Sequence, residues 1–341
     1  MTTKMHQNNN RVVLTAPLDG NPRPEDFKTI SEPIPEPGDG EMLIRHIYLS
    51  LDPYQRSMIA GRHGAAGPLG EGEMPGGEIV GQVVQSRHSD FTDGEYVRHF
   101  GGWQEYSLSD GTQTFAVDPE QAPLSTYVGV LGMPGLTAYA SMIELADVQA
   151  GQTVLVSAAH GPVGSMVGQI AMRKGARAIG IAGSDEKCRL VVDELGFSAC
   201  INYKDGLYPG SLEDTLPDGA DIYHDNVGGD MLADALSVLK NYGTVILCGL
   251  ISQYNDPSQA VGLSLASVIL KRAVLKGLVV YDFEDRRQEF FDMMAPWIKD
   301  GTIKYLEDRV DGLEHAGSQF TRLMSGQNVG KALVVIGHES L

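Results

Sequence analysis

The sequence predicts an α/β protein in two parts, a partly closed β-barrel followed by a doubly wound parallel sheet. Three observations carry this. The chain's 341 residues exceed what one small core accommodates. Up to about Pro123, short β-rich runs alternate with turn signals. Beyond "MPGLTAYASMIELADVQAG" the apolar period changes, and strand-like runs alternate with helical ones.

In the first part "RVVLTAP", "EMLIRHIYLSL", "GEIVGQVVQS" and "GEYVRHF" read as strands, separated by "PEPGDG", "GPLGEGEMPGG" and "SDFTDG". The stretch "SRHSDFTDGEYVRHF" predicts a hairpin feeding a strand, which "GGWQEYSL" continues. In the second part "QTVLVSAA" predicts a buried parallel strand, and "VGSMVGQIAMRKG" a helix stopped by Gly175. "ARAIGIAGS" is a second strand, "DEKCRLVVDELG" a helix and "ACINYK" a third strand. "ADIYHDNVGG" and "GTVILCGL" follow, with the helix "DMLADALSVLKN" between them, and "AVLKGLVVYDF" is the sixth strand. The tail "YLEDRVDGLEHAGSQFTRLMSGQNVGKALVVIG" ends in a strand that would return to the first domain. The expected boundaries are 1–125 for the barrel, 126–305 for the parallel sheet and 306–341 for the returning segment.

A formal net charge of −18 disfavours nucleic acid or an anionic membrane as partner. Any phosphate site must then be made locally, from backbone amides and a few cations. Cys188, Cys200 and Cys248 are far apart and show no C-x-x-C spacing, which fits a reducing cytosol and excludes a four-cysteine zinc lobe. The start, "MTTKMHQNNNRVVL", lacks the apolar core of a signal peptide, and no apolar run approaches the roughly 18 residues that span a bilayer. A cytoplasmic protein is expected.

The strongest chemical signal is "VLVSAAHGPVGSMVGQIA", Val154 to Ala171. A strand runs into Ala159-x-Gly161-x-x-Gly164 and then a helix, the dinucleotide fingerprint with Ala in place of its first glycine. Gly161 lets backbone approach a diphosphate, Gly164 lets the helix pack closely on the strand, and the helix N-terminus adds amides and a positive dipole end. A tight strand-to-helix turn accounts for the same residues without a ligand, but the repeated αβ units favour the dinucleotide.

At the end of the second strand an NAD site places Asp or Glu on the ribose 2′-OH. Here "IAGSDEKCR" puts Gly183 and Ser184 in that place, followed by Asp185, Glu186 and Lys187. A small residue makes room for a 2′-phosphate, Ser184 donates to it and Lys187 neutralises it, so NADPH is the expected cofactor. The same residues also read as a helix cap, with Ser184 at the N-cap and Lys187 exposed, and the two roles are compatible.

Histidines His46, His63, His88, His99, His160, His224 and His315 are scattered, without H-x-x-x-H or Cys/His pairing. His160 falls inside the phosphate turn. In "DPYQR", at the start of a loop, Tyr54 would line a substrate pocket or donate a hydrogen bond, with packing as the alternative. "CGLISQYND" follows the fifth strand, so Ser252 and Tyr254 fall at the carboxyl edge of the sheet, where ligands bind in open α/β folds. A phenol there would polarise a carbonyl or hold the cofactor's ribose.

Taken together the chain resembles the medium-chain dehydrogenase/reductase superfamily, and within it the zinc-independent alkenal/one double-bond reductases. That group includes prostaglandin reductases (leukotriene hydroxydehydrogenases), plant double-bond reductases and bacterial curcumin reductases. The motifs are "YLSLDPYQR", "MPGLTAY", "SAAHGPVGSMVGQIA", "AGSDEK", "DNVGG", "CGLISQYN" and "NVGKALVV", spread from about residue 42 to 335. "IYHDNVGG" and "CGLISQYN" side with the curcumin reductase branch.

The resemblance implies a GroES-like barrel domain, a Rossmann domain, and an active site in the cleft between them. It implies a homodimer, which an edge strand such as "AVLKGLVVYDF" would build, and NADPH-dependent 1,4-reduction of α,β-unsaturated ketones or aldehydes. The implied cofactor contacts are Gly161, Pro162, Val163 and Gly164 in the turn, then Ser184, Lys187 and Tyr203 at the 2′-phosphate. Asn226, Cys248, Gly249 and Asn328 would complete the cofactor channel. Tyr254 would approach the nicotinamide ribose and the substrate carbonyl, and Tyr54 would line the substrate pocket. His160 stands where this turn often carries a small or hydroxyl residue.

"MPGGEIVGQVV" is similar to a zinc alcohol dehydrogenase motif in which a ligating His follows the first Gly. Gly77 holds that place, and "LDPY" has no Cys where another ligand is expected. An enone does not require that Lewis acid. Hydride adds to its β-carbon, and the charge moves to an enolate oxygen that a Tyr hydroxyl or the ribose 2′-OH can stabilise. Two alternatives stand beside this reading: a zinc-free quinone reductase, and an NADPH-binding scaffold or sensor without turnover.

Overall fold

The computed structural model describes residues 8–63, 67–259 and 264–339. Strand β1 (Asn8–Leu14) pairs antiparallel with β2 (Phe27–Pro33) as a two-stranded sheet. β3 (Met42–Ser50) is buried along nearly all its length and leads into helix α1 (Tyr54–Ile59). β4 (Ile79–Ser86), β5 (Tyr96–His99), β6 (Tyr106–Ser109) and the short β7 (Phe115–Ala116) follow. β3 pairs antiparallel with β4, with β6 over Met42–Arg45, and the expected hairpin is the antiparallel β4–β5 pair. Trp103 is fully buried between Phe27 and Phe320, each with its ring centroid 5.4 Å away.

Past Gly129 the chain enters a second compact unit, Val130–Leu306. Helix α2 (Met133–Tyr139) precedes β8 (Thr153–Ser157), α3 (Pro162–Arg173), β9 (Arg177–Ala182), α4 (Asp185–Asp193) and β10 (Ala199–Asn202). Then come α5 (Gly210–Thr215), β11 (Ala220–Asp225), α6 (Gly229–Ser237), β12 (Leu239–Leu247), α7 (Ile251–Tyr254), α8 (Leu265–Lys271), β13 (Val274–Gly277) and α9 (Arg287–Lys299). Among the described residues the six strands form one parallel sheet in the order β10-β9-β8-β11-β12-β13. The order reverses between β8 and β11, and that topological switch point is where such sheets bind ligands. α3 ends one residue before Lys174, and Gly175 at φ +83° takes the left-handed turn that stops it.

The first compact unit, which runs up to Gly129, resumes at Glu307. β14 (Glu307–Asp311), α10 (Ala316–Met324) and β15 (Lys331–Val335) complete it, with β15 parallel to β14 and antiparallel to β3. The α/β class and the pairing of an N-terminal sheet domain with a doubly wound parallel sheet are as the sequence predicts. No helix among the described residues is long and apolar enough to cross a membrane.

Two elements differ from expectation. The helix over "DMLADALSVLKN" stops at Ser237, and β12 begins at Leu239, whose side chain is buried and whose backbone lies opposite Ala220. A register shift between Ala220 and Ile222, with Tyr242 at φ +68°, absorbs the polar "NYG" inside the strand. The sixth strand covers only Val274–Gly277 of "AVLKGLVVYDF", because its neighbour β12 ends at the Leu247↔Gly277 pair, and Val280–Arg286 coils into 3₁₀ turns.

Candidate functional site

The turn after β8 is tight. Ala158 sits at φ +49°, a conformation that non-glycine residues adopt at a cost, and Gly161 N–H donates to Ala158 O at 2.9 Å. Pro162 opens α3, and the first amide of the helix bonded back to the turn is that of Ser165, donating to Gly161 O at 2.9 Å. The Val163 and Gly164 amides therefore lie outside the helical ladder, while Gly161's own N–H is engaged inside the turn. A Cβ on Gly164 would come within 2.5 Å of Ala158 O and 3.0 Å of Ala159 Cα, so only glycine brings helix and strand this close.

Beside this turn, Ser184 caps α4 by accepting from Lys187 N at 3.2 Å. A serine hydroxyl that accepts in this way still has its proton to give. Lys187 is not the exposed lysine of a bare capping motif, for the residue is only 7% accessible. Tyr203 follows β10, held by Tyr203 N to Ala182 O at 3.1 Å, and its ring lies over Gly183, where a Cβ would be 3.1 Å from Tyr203 Cε1. Gly183, Ser184, Lys187 and Tyr203 thus gather at the end of β9. His160 in the turn belongs with them. Burial and then the charge of Lys187 push its pKa down to about 3, and its Nδ1 is shielded from solvent without a hydrogen-bond partner.

At the switch point the strand ends are tied by a buried carboxylate that sequence reasoning missed. Asp225 accepts from Tyr223 Oη (2.8 Å), Ser157 Oγ (3.2 Å), Val227 N (3.0 Å) and Gly228 N (3.0 Å). This joins β8 to β11 and shapes the "DNVGG" loop. Asn226 reaches across the same gap, its Nδ2 donating to Ser157 O at 2.7 Å and its Oδ1 lying 3.2 Å from His224 Nε2. Cys248 N and Gly249 N both donate to Asp225 O, at 2.9 and 3.1 Å, and burial followed by the Asp225 charge pushes the Cys248 thiol up to about 12. The thiol therefore stays protonated. Tyr254 folds back onto this loop, its oxygen accepting from Leu250 N at 3.2 Å, and burial raises its pKa. The sequence signal for Asp225 was present: an acid at the end of the predicted strand "ADIYHD", directly before "NVGG".

In the first compact unit, the "DPYQR" segment is held by a second buried network. Lys331 Nζ donates to Asp52 Oδ1 and to Leu51 O, each at 2.7 Å, with Lys331 and Asp52 only 1% and 4% accessible. Ser50 Oγ bonds Asp52 Oδ2, Gln55 Nε2 donates to Ser50 O at 3.0 Å, and Asp52 N donates to Gln55 Oε1 at 3.1 Å. Tyr54 is half-buried at the head of α1, its ring 5.4 Å from that of His63. Asn328 is buried, and its Nδ2 is spent on Gly330 O at 2.8 Å. Gly77 is walled in: a Cβ there would meet Leu49 Cδ1 at 2.9 Å, Gln55 Nε2 at 3.0 Å and Trp103 Cδ1 at 3.3 Å.

Models of known families match the chain twice: one described as the N-terminal domain of oxidoreductase, over residues 10–117, and one described as zinc-binding dehydrogenase, over residues 162–299. The chain is 37% identical over 334 residues to the NADPH-dependent curcumin reductase of Escherichia coli, covering 96% of this chain and 97% of that protein. It is 39% identical over 341 residues to the 2-alkenal reductase (NADP(+)-dependent) of Nicotiana tabacum, covering 97% and 98%. The structure of CurA from Vibrio vulnificus in complex with NADPH superimposes with a TM-score of 0.91 at 39% identity, over 96% of this chain and 99% of that one. An Escherichia coli quinone oxidoreductase complexed with NADPH reaches 0.79 at 18% identity, a likeness of fold alone.

The zinc named in one of those descriptions does not fit this chain. Gly77 brings no donor and has no room for one, and the described residues hold no group of three His, Cys, Asp or Glu able to bind a metal. A dinucleotide does fit: the turn offers first-turn amides beside a close glycine, and Lys187 lies buried next to a glycine at the end of β9.

Proposed function

The chain belongs to the zinc-independent alkenal and enone double-bond reductases of the medium-chain dehydrogenase/reductase superfamily, and from that membership we propose that it reduces the C=C bond of α,β-unsaturated ketones and aldehydes with NADPH. The observation that carries the cofactor choice is at the end of β9. Glycine and serine stand where an acid would hold a ribose 2′-OH, and the one lysine of that turn is buried beside them.

In this reading the Val163 and Gly164 amides bind the diphosphate, with Gly161 and Pro162 shaping the turn. Ser184, Lys187 and Tyr203 hold the 2′-phosphate, while Asn226, Cys248, Gly249 and Asn328 line the remainder of the nucleotide. Bound NADPH supplies a hydride from nicotinamide C4 to the β-carbon of the enone. Tyr254 then acts on the oxygen where charge collects. Its raised pKa keeps the phenol protonated at neutral pH, so it donates a hydrogen bond to the enolate instead of acting as a base. The α-carbon takes its proton from solvent or through Tyr254, and Tyr54 contacts the substrate. Holding the alkene against the hydride donor supplies much of the acceleration.

The proposal extends to a cytoplasmic homodimer that has no nucleic-acid or membrane partner. The dimer's support is an edge of the parallel sheet: β13 is an edge strand whose Val274 is exposed, and Leu265, Ile269 and Leu270 of the preceding α8 also expose their side chains. Sedimentation of the protein and of Ile269→Asp checks this; a wild-type monomer would remove that part of the proposal.

The central test follows NADPH oxidation with a simple acyclic enone, with and without chelator, and identifies the product by mass and NMR. A saturated ketone with its carbonyl intact, formed regardless of chelator, is expected. Turnover with quinones only would move the chain to the quinone reductases. NADPH binding without turnover would make it a scaffold.

A further inference from the structure

His160 is not accounted for by the turn that contains it. Its Nδ1 is shielded from water and has no partner among the described residues, although buried imidazole nitrogens are ordinarily satisfied. The neighbouring fingerprint residues do not need a histidine there, since the turn closes through Gly161 N to Ala158 O. Lys187 is the charged group that acts on it. Ionisable groups on the neighbouring strand ends have partners of their own. Asp185 accepts from Asn202 Nδ2 at 2.8 Å, Lys204 lies over the Tyr203 ring at 5.3 Å, and Asp225 is enclosed by its own four donors. A buried imidazole nitrogen without a partner, close enough to a buried ammonium to be acted on by its charge, is an arrangement that an anion relieves.

We propose that His160 is a second cation for the adenosine 2′-phosphate, neutral in the free protein and protonated when NADPH or NADP⁺ binds. The inference rests on the reading that Lys187 holds that phosphate. In the free protein, burial and the Lys187 charge hold the imidazole far below its ordinary range, at about 3, so at pH 7 it carries no proton to begin with. A dianionic phosphate against it outweighs both influences by favouring the imidazolium, and the proton comes from solvent. The phosphate's own contribution has the opposite sign: its second pKa is about 6, and contact with a cation lowers it, so it can only release protons. Net uptake at pH 7 therefore has to come from a base on the protein.

The test is calorimetric titration of the free protein with NADP⁺ and NAD⁺, and with adenosine 2′,5′-bisphosphate and 5′-AMP, at pH 7 in two buffers of different ionisation enthalpy. The expected result is uptake of about half to one proton with the 2′-phosphorylated ligands and none with the others. His160→Gln, which keeps a neutral donor, and His160→Ala should both abolish the uptake. His160→Ala should also weaken NADP⁺ by about tenfold or more, the scale of one charge-assisted hydrogen bond, and leave NAD⁺ unchanged. The wild-type measurement needs no variant to fold. NADP⁺ preference that depends on Lys187 with no proton uptake would overturn the role of His160 alone. Equal binding of NADP⁺ and NAD⁺ would overturn the phosphate reading together with it.

Discussion

Removing Lys331 tests whether the buried ion pair organises the "DPYQR" segment. In Lys331→Ala, Asp52 keeps the Ser50 hydroxyl but loses its counter-charge, and Leu51 O loses its donor. A buried pair broken on one side costs about 3–5 kcal/mol, because the remaining charge is left without compensation. At roughly 2–4 °C per kcal/mol for a domain of this size class, Tm should fall by about 6–20 °C. Replacing both partners, as in Asp52→Leu/Lys331→Met, removes the charge with its counter-charge and should recover most of the loss. Differential scanning calorimetry of the wild type, Asp52→Leu, Lys331→Met and the double variant closes the cycle, with Lys331→Ala measured beside them. A Lys331→Ala shift under about 2 °C, or a double variant as unstable as the sum of the singles, would refute the reasoning, since the pair would then be a solvated contact and not a buried constraint.

Lys187→Ala should weaken NADPH by about tenfold to a hundredfold while NADH binding changes little, measured by fluorescence titration; equal loss for both nucleotides would remove the phosphate assignment. Tyr254→Phe should lower kcat on an enone while leaving the NADPH Kd nearly unchanged, and unaltered turnover would reduce Tyr254 to a packing residue. Burial pushes His46 and His160 down to about 3 and His99 and His224 to about 4, so between those values and 6.5 the unfolded chain binds protons that the native one does not. Stability, read as urea midpoints, should therefore fall as pH drops below about 6.5, and His46→Asn should flatten the slope; midpoints constant down to pH 5 would contradict this.

The sheet of the second unit was legible because its signals are local. "VLVS" and "AIGIA" are apolar runs bounded by turns, and each lies in the buried parallel sheet. The strand-to-helix turn was equally legible, since Gly164 stands where a Cβ would strike Ala158 O. What the sequence hid depends on pairs far apart in the chain. Leu239 reads as the end of a helix until it meets Ala220, and no local preference announces that meeting. "AVLKGLVVYDF" has strand composition throughout, but an edge strand extends only as far as its neighbour, and β12 stops at Leu247. Asp52 and Lys331 each look like a solvated charge beside an apolar run. They become a buried pair only when β15 lies against β3.

The same packing explains why this chain cannot be read as a zinc enzyme with one ligand missing. Gly77 does not leave a gap. Leu49 and Trp103 close around it, and the amide of Gln55 fills the remaining side while donating to Ser50 O and accepting from Asp52 N. Gln55 thus belongs to the network that fixes Asp52 to Lys331. A histidine at position 77 would have to displace that amide and the indole edge before it could offer a nitrogen to a metal, and in doing so would loosen the segment that carries Tyr54. Where a metal ligand would stand, this chain has closed packing joined to a buried ion pair. The proposed reaction, whose charge travels by conjugation to an oxygen, asks there for a hydrogen bond and not for a metal.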